Sequence, residues 1–218
     1  MWCVPEITPE FEKKMMDVLS VYERDYDENH PVICLDEKNH QLLSVPRGEI
    51  PAEPGKPRRV DYEYKRHGTV NHFVAVEPKA GRRHIRVSER RTKTDFAGFI
   101  RFIMTRAYPK AEKVSIVLDN LSTHTEKAIL ESLGEGVGRR ILERIEWHFT
   151  PTHASWLNMA EIEIGILSRQ VLSKSIAEIN RLKKEVRSYQ ARRNIAEAKI
   201  SWGFTREQAK KVFDLHRN

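Results

Sequence analysis

The sequence predicts an α/β fold, a mixed β-sheet flanked by helices, with a helical extension at the C-terminus. Three observations carry that reading. Val32-Ile33-Cys34-Leu35 and Val114-Ser115-Ile116-Val117-Leu118 are short, mostly apolar runs of the kind buried on both faces of a sheet, and each ends in an aspartate. Stretches with apolar residues at helical spacing alternate with strand-like runs, the pattern of a layered α/β domain. Hydrophobic residues make up 39% and charged residues 32% of 218, which excludes wholesale disorder and suffices for one core. No apolar run approaches the length of a membrane-spanning helix. The N-terminus lacks the basic-then-apolar layout of a signal peptide. Two cysteines, Cys3 and Cys34, cannot form a disulfide framework or a four-thiolate zinc site, and fit a cytoplasmic protein.

The elements follow in order. Thr8-Pro9 opens a helix, a capping hydroxyl followed by proline at the first helical position, and Phe11, Met15, Val18, Leu19 and Tyr22 give it one apolar face. Val32–Leu35 is the first strand. A tight connection at Lys38-Asn39 leads to a second, about 40–45. Residues 46–57 hold four prolines and two glycines and read as a loop inside the domain. Val70–Val76 and His84–Val87 are the next strands, turned at Gly81. Thr94-Asp95 caps a helix carrying Phe96, Phe99, Ile100 and Ile103. After Val114–Leu118, a helix over 125–133 precedes a loop built on Gly134, Gly136 and Gly138. No Gly-Lys-Ser/Thr closes that run, so it is not a phosphate loop. Ile145, Trp147 and Phe149 alternate with polar residues, which predicts an edge strand with one wet face. Helices follow over 156–172, 175–195 and 205–215, the last opened by a capping box of Thr205 with Gln208.

Charge is unevenly placed. The chain is +7 overall, yet residues 1–37 are net −7, while 56–93 and 169–218 are each net +8. Two basic tracts point to a polyanionic partner, most simply nucleic acid. Lys56, Arg58, Arg59, Arg82, Arg83, Arg90 and Arg91 are the candidate DNA-binding residues, with the helix around Arg181–Arg193 as a second contact zone.

The chemistry centres on the strand-end aspartates, Asp36 and Asp119. Each alone has a structural reading, capping the turn that follows. On adjacent parallel strands they would emerge together, where open α/β sheets bind ligands. A shared hard cation, held by oxygen ligands, then outweighs zinc or copper. Glu161 and Glu163 are the candidates for a third acid. At two residues apart they lie about 200° around the helix, so only one can face the aspartates. Gly165, one turn after Glu161, permits close approach of that flank. His148 and His153 have no cysteine pair or second ligand spacing to make a zinc site.

Several ordered motifs resemble the transposases of the bacterial insertion-sequence six-thirty family, relatives of the Tc/mariner elements. They include Val32–Lys38, Arg66-His67-Gly68-Thr69, Phe73–Pro78 and Arg91–Phe96. The strongest are Leu118-Asp119-Asn120-Leu121-Ser122-Thr123-His124 and Phe149–Glu161, and the match runs on to Trp202-Gly203-Phe204-Thr205. The resemblance implies a ribonuclease-H-like catalytic domain over 31–172, an N-terminal helix and linker over 1–30, and a helical extension over 173–218. It implies a metal-binding, catalytic triad of Asp36, Asp119 and Glu161. It further implies two magnesium ions, replaceable by manganese, and DNA strand cleavage followed by strand transfer. Asn120, His124 and Asn158 are accessory candidates that would orient water or phosphate. Double-stranded DNA and a second copy of the chain are the implied partners, in a nucleoid-associated cytoplasmic setting. The family's N-terminal helix-turn-helix would lie before the first residue here. Where the family has bulky aromatics after the glutamate, this chain has Glu163, Ile164 and Gly165. Two other readings fit the basic tracts: a non-catalytic DNA-binding regulator, and a nuclease acting on RNA–DNA hybrids.

Overall fold

A computed structural model describes residues 7–46, 49–50, 52–57, 59–60, 63–121 and 124–213. Helix α1 (Pro9–Glu23) starts where the Thr8 hydroxyl accepts the amide of Phe11. Then come β1 (Val32–Ser44), the short β2 (Glu49–Ile50) and β3 (Arg59–Val60), β4 (Lys65–Glu77) and β5 (Arg82–Ser88). Helix α2 (Lys93–Phe102) runs into a wide-turned π segment, Ile103–Ala107, before β6 (Val114–Leu118). Helices α3 (Glu126–Leu133) and α4 (Glu135–Leu142) lead to β7 (Ile145–Phe149). A turn of 3-10 helix, Ser155–Leu157, precedes α5 (Ala160–Leu167) and a second π segment, Ser168–Leu172. Helices α6 (Ile179–Ile195) and α7 (Arg206–Val212) follow.

Five strands form one mixed sheet in the order β5-β4-β1-β6-β7. Strand β1 is antiparallel to β4 and parallel to β6, and β6 is parallel to β7. Alternation along the strands divides the core. Ile33, Leu35, Phe73, Ala75, Ile116 and Leu118 face α2 and α3. Cys34, Val76 and Val117 face α1, the start of α5 and α7. Further along β1 and β4, Leu42, Val70 and Val74 pack beneath α5 and α6. Burying so many large aliphatic and aromatic side chains, at about 1.5–3 kcal/mol each, is the main force holding these layers.

Several sequence expectations are corrected. The strand pair expected at 32–35 and 40–45 is one continuous strand. Lys38 and Asn39 stay in register with His72 and Asn71 of the equally long β4, and the irregularity falls later, between Gln41 and Leu43. In the expected loop at 46–57, Glu49–Ile50 pairs with Arg59–Val60. The cap of α2 is Thr92 rather than Thr94, in a reciprocal box with Asp95. Of the glycines expected in a loop, only Gly134 has positive φ, at 79°, while Gly136 and Gly138 lie inside α4. A Cβ on Gly138 would sit 3.2 Å from the Cα of Leu130, so the small residue sets how tightly α3 and α4 pack. Strand β7 is the sheet edge, as expected, but its polar face is not open: His148 is buried against Asp17 of α1 at 2.8 Å. The single helix expected over 156–172 is broken into the 3-10 turn, α5 and the π segment.

The C-terminal segment is stitched to the edge of the sheet. The side chain of Asn194 makes two hydrogen bonds to the backbone of Arg83, and Gln190, one turn earlier on α6, accepts the amide of Ile85 at 2.7 Å. The backbone after α6 then passes over the β4–β5 turn, where Ile200 donates to the carbonyl of Pro78. Gly81 makes that crossing possible. Its φ is +68°, and a Cβ there would lie 2.4 Å from the carbonyl carbon and oxygen of Glu197. Gly81→Ala should therefore destabilise the protein by about 2 kcal/mol or more in urea unfolding. Gly134→Ala has open space around it, but φ of +79° with ψ of 152° is a region essentially reserved for glycine, so it should cost about 1–3 kcal/mol of backbone strain.

Candidate active site

Parallel pairing places the two aspartates together. Cys34 lies opposite Val117, so Asp36, inside β1, and Asp119, just past the end of β6, come to the same level two residues further on. Both have the parity of Cys34 and Val117, and so project toward the face that α5 covers. Asn158 fixes the start of α5 there. Its side-chain amide donates to the carbonyl of Leu35 at 2.8 Å, its side-chain oxygen accepts the amide of Ala160, and its carbonyl accepts that of Glu161. Asn158 is thus a buried clamp between β1 and α5 rather than a group open to substrate. Glu161 is exposed on the first turn of the helix it holds.

The electrostatics of the three acids are coupled. Burial above all pushes the Asp36 carboxyl up to about 7. A hydrogen bond from the amide of Glu37 opposes the shift, and the charges of Glu161, Asp119 and Glu37 add to it. The expectation of a closed three-carboxylate ligand set is not met: among the described residues, no three His, Cys, Asp or Glu side chains are grouped to hold a metal ion. In this arrangement each carboxylate has its own surroundings, although the charges of Glu161 and Asp119 are both felt at Asp36. Asp119 lies 2.9 Å from Nδ1 of His124, Asp36 accepts from the backbone, and Glu161 points toward solvent.

His124 is a bridge. Its other nitrogen is 3.1 Å from Glu37, and its ring lies 4.5 Å from that of Phe96 on α2. Burial would lower its pKa, but the bonds to Asp119 and Glu37 and their charges hold it up at about 9. It is an imidazolium tying β1, at Glu37, to Asp119 just past the end of β6. Arg91 reaches the same Glu37 at 3.3 Å. Sequence reasoning passed over Glu37. The available signal was alternation: a second acid directly after Asp36 must point to the opposite face of β1, where α2 and His124 lie. Asn120 is exposed next to Asp119.

The expected DNA-binding set divides. Arg90 and Arg91 are exposed beyond the end of β5, on the side of the carboxylates. Lys56 and Arg59 are exposed in the excursion between β1 and β4, Lys56 paired with Glu53. Arg58 lies outside the described residues. Arg82 pairs in register with Glu77, three positions short of the level of Asp36, or about 10 Å along the strands. Arg83 is corrected outright. It is fully buried and ion-paired with Glu163, with further bonds to the carbonyls of Gly81, Arg193 and Ala198. In the helix expected as a second contact zone, Arg193 is likewise occupied by Glu163, at 2.9 Å.

Glu163 is the other acid of α5, and it points away from the aspartates as its spacing demands. It is fully buried, receiving Tyr189 at 2.6 Å besides Arg83 and Arg193. Burial would raise its carboxyl, but the bonds from Arg193 and Tyr189 and the charge of Arg83 keep it below the usual range. Glu163→Ala, which leaves Arg83 buried without its counter-ion, should cost about 3–5 kcal/mol in denaturant unfolding.

Asp36 yields a pH prediction. Its folded-state pKa is raised above the unfolded value near 4. Its contribution to stability is therefore intact below about pH 4, is lost as pH rises from 4 to 7, and stays lost above 7. Asp36→Asn should match the wild type in stability near pH 4 and exceed it by about 2–4 kcal/mol at pH 8, at 1.36 kcal/mol per pKa unit. Thermal melts across that range check this.

Comparison with known proteins places the geometry. The family described as DDE superfamily endonuclease matches residues 31–183. The comparison with curated proteins gives no match. Among solved structures, the Mos1 mariner paired end complex with Mn is similar at 15% identity and a TM-score of 0.57, over 93% of this chain and 67% of that one. The Mos1 strand transfer complex follows at 16% and 0.56, over 100% and 63%. The catalytic domain of Mos1 mariner transposase follows at 13% and 0.55, over 98% and 97%. The chain thus spans about two thirds of the chains in the two complexes and nearly all of the catalytic domain. At these identities the likeness shows the fold, a ribonuclease-H-like mixed sheet flanked by helices. No helix among the described residues is long and apolar enough to cross a membrane.

Proposed function

The chain belongs to the DDE superfamily of endonucleases, and from that premise we propose that it is the catalytic region of a DNA transposase. The finer placement we propose is the bacterial insertion-sequence six-thirty group within the Tc/mariner relatives. The observation that carries the reading is the level register of Asp36 and Asp119 on parallel strands, with Glu161 held over them by Asn158. We assign Asp36, Asp119 and Glu161 as the reactive carboxylates.

These residues fit a pair of hard divalent cations. The donor set is all oxygen, and burial, with the charges of Glu161 and Asp119 adding to it, raises the Asp36 carboxyl in the absence of a counter-charge. Bound there, magnesium or manganese would activate the attacking oxygen and stabilise the leaving one. The chain's own residues do the rest. Asp36 and Asp119 are fixed by the sheet, so closing the ligand set needs side-chain rotation rather than movement of strands. His124 holds Asp119 at one end of its range and, through Glu37, limits where that carboxylate turns. Arg90 and Arg91 draw the phosphate backbone toward the acids. In the first reaction water attacks phosphorus in line, the P–O3′ bond breaks, and a free 3′-hydroxyl is left. In the second, that hydroxyl attacks a target phosphodiester, forming one P–O bond as another breaks.

A non-catalytic, DNA-binding role is the second reading, favoured by the carboxylates standing apart. Plasmid nicking separates the two. We expect nicking of supercoiled DNA that requires Mg2+ or Mn2+ and falls at least 100-fold in Asp36→Asn, Asp119→Asn and Glu161→Gln, with duplex binding retained. Binding without nicking in the wild type would establish the second reading. Nicking that survives the three substitutions would reassign the chemistry to other residues.

A further inference from the structure

Strand β5 is an outer strand of the sheet, and a cleft of about 480 Å³ lies along it between α2 and α6. Its walls carry three cations: Arg86 from β5, and Lys183 and Arg187, one helical turn apart, from α6. None of its lining residues is acidic. Among the described residues, none of the three cations has an ion-pair or hydrogen-bond partner, whereas Lys174, Arg192 and Arg193 of the same region are all engaged. Arg86 lies against α2 where that helix has Gly98, at which a Cβ would stand 3.1 Å from the guanidinium. The floor is aromatic. Phe102 is 41% exposed, with Phe99 stacked behind it at 12° and His84 edge-on at 5.6 Å.

Unpaired cations on two walls around an exposed ring make a stacking platform inside an electrostatic funnel, the combination that takes single-stranded nucleic acid. The volume falls within the range of about 300–1,000 Å³ of small-ligand pockets. It admits one or two nucleotides and excludes a double helix. Its position suits the reaction. Ile85 in the cleft pairs with Val74, which pairs with Asp36, so the strand that walls the cleft is level with Asp36 and about 10 Å from it, the cleft lying on its outer side.

We propose that this cleft binds an unpaired stretch of a DNA strand, its phosphates on Arg86, Lys183 and Arg187 and a base against Phe102. The inference rests on the reading that the chain acts on DNA, and assigns the site that holds a strand once it is freed from the duplex. An acidic peptide would use the same cations but has no need of the exposed ring.

The test uses the full chain with labelled ten-nucleotide oligothymidylate, random duplex and a polyglutamate peptide as probes. The triple substitution Arg86→Gln, Lys183→Gln, Arg187→Gln should weaken oligothymidylate binding at least tenfold. It should also make the log–log salt slope less negative by about 2, at roughly 0.7 per phosphate contact. Phe102→Leu should weaken binding threefold or more at every salt concentration. Melting temperature should be unchanged in both variants, so that a loss of binding is not a loss of folding. If the wild type binds oligothymidylate and both variants bind it equally well, the cleft assignment falls and the DNA reading stands. If the triple variant loses only polyglutamate, the cleft is a peptide site and the proposal is overturned. If the wild type binds no DNA of either form, both readings fall together.

Discussion

A carboxylate taken into a protein interior costs several kcal/mol unless its charge and its lone pairs are all met. Glu163 meets that condition with two guanidinium groups and a tyrosine hydroxyl, and the geometry of the candidate site follows from it. The partners come from three places: Arg83 from β5, and Tyr189 and Arg193 from α6 at i and i+4. One side chain of α5 is thereby tied to the edge of the sheet and to the C-terminal helix at once. A helix held at one residue is held in rotation, and Glu161, about 200° away, is left facing outward beside the aspartates. Asn158 fixes the same helix axially against β1. With both constraints set, neither the tilt nor the phase of α5 is free. The C-terminal helices are accordingly part of the frame that aims the third acid.

The site itself runs against stability. Asp36 is largely enclosed and surrounded by other acids, an arrangement that natural proteins keep where function requires it. The surrounding parts supply compensation at one remove. His124, made cationic by Glu37 and Asp119, places a positive charge between β1 and the end of β6, and Arg91 steadies Glu37 from the outside. The acid cluster is thus flanked by cations on the α2 face, while Glu161 stands exposed on the first turn of α5.

Much of this was legible in the residues. The apolar runs ending in Asp36 and Asp119 gave the two buried parallel strands, because only a strand covered on both faces tolerates four or five apolar residues in succession. The 200° offset of Glu161 and Glu163 told that only one of them could face the aspartates, and the family resemblance chose Glu161. What failed did so for reasons of partnership. Lys38-Asn39 reads as a turn alone, yet β4 is long enough to keep pairing with it. Gly136 and Gly138 are poor helix formers, but the α3–α4 contact requires a residue without a side chain at 138. Arg83 sits in a basic tract and counts as surface charge until its partner, 80 residues away, is known. Glu37 was hidden by its neighbour Asp36, since a linear pattern does not say which of two adjacent acids meets a histidine from the connection between β6 and α3.

The amides that α6 lends to β5 have a consequence beyond the positioning of α5. An outer strand with unpaired backbone groups is a template on which another chain can add a strand, and sheets left open in this way seed aggregation. Asn194 and Gln190 stand one turn apart, so their side chains meet Arg83 and Ile85, alternate residues on the outward edge of β5. A helix here imitates the next strand using two side chains. It closes the sheet to further growth along that stretch without covering it, and the cleft beside the same strand remains open.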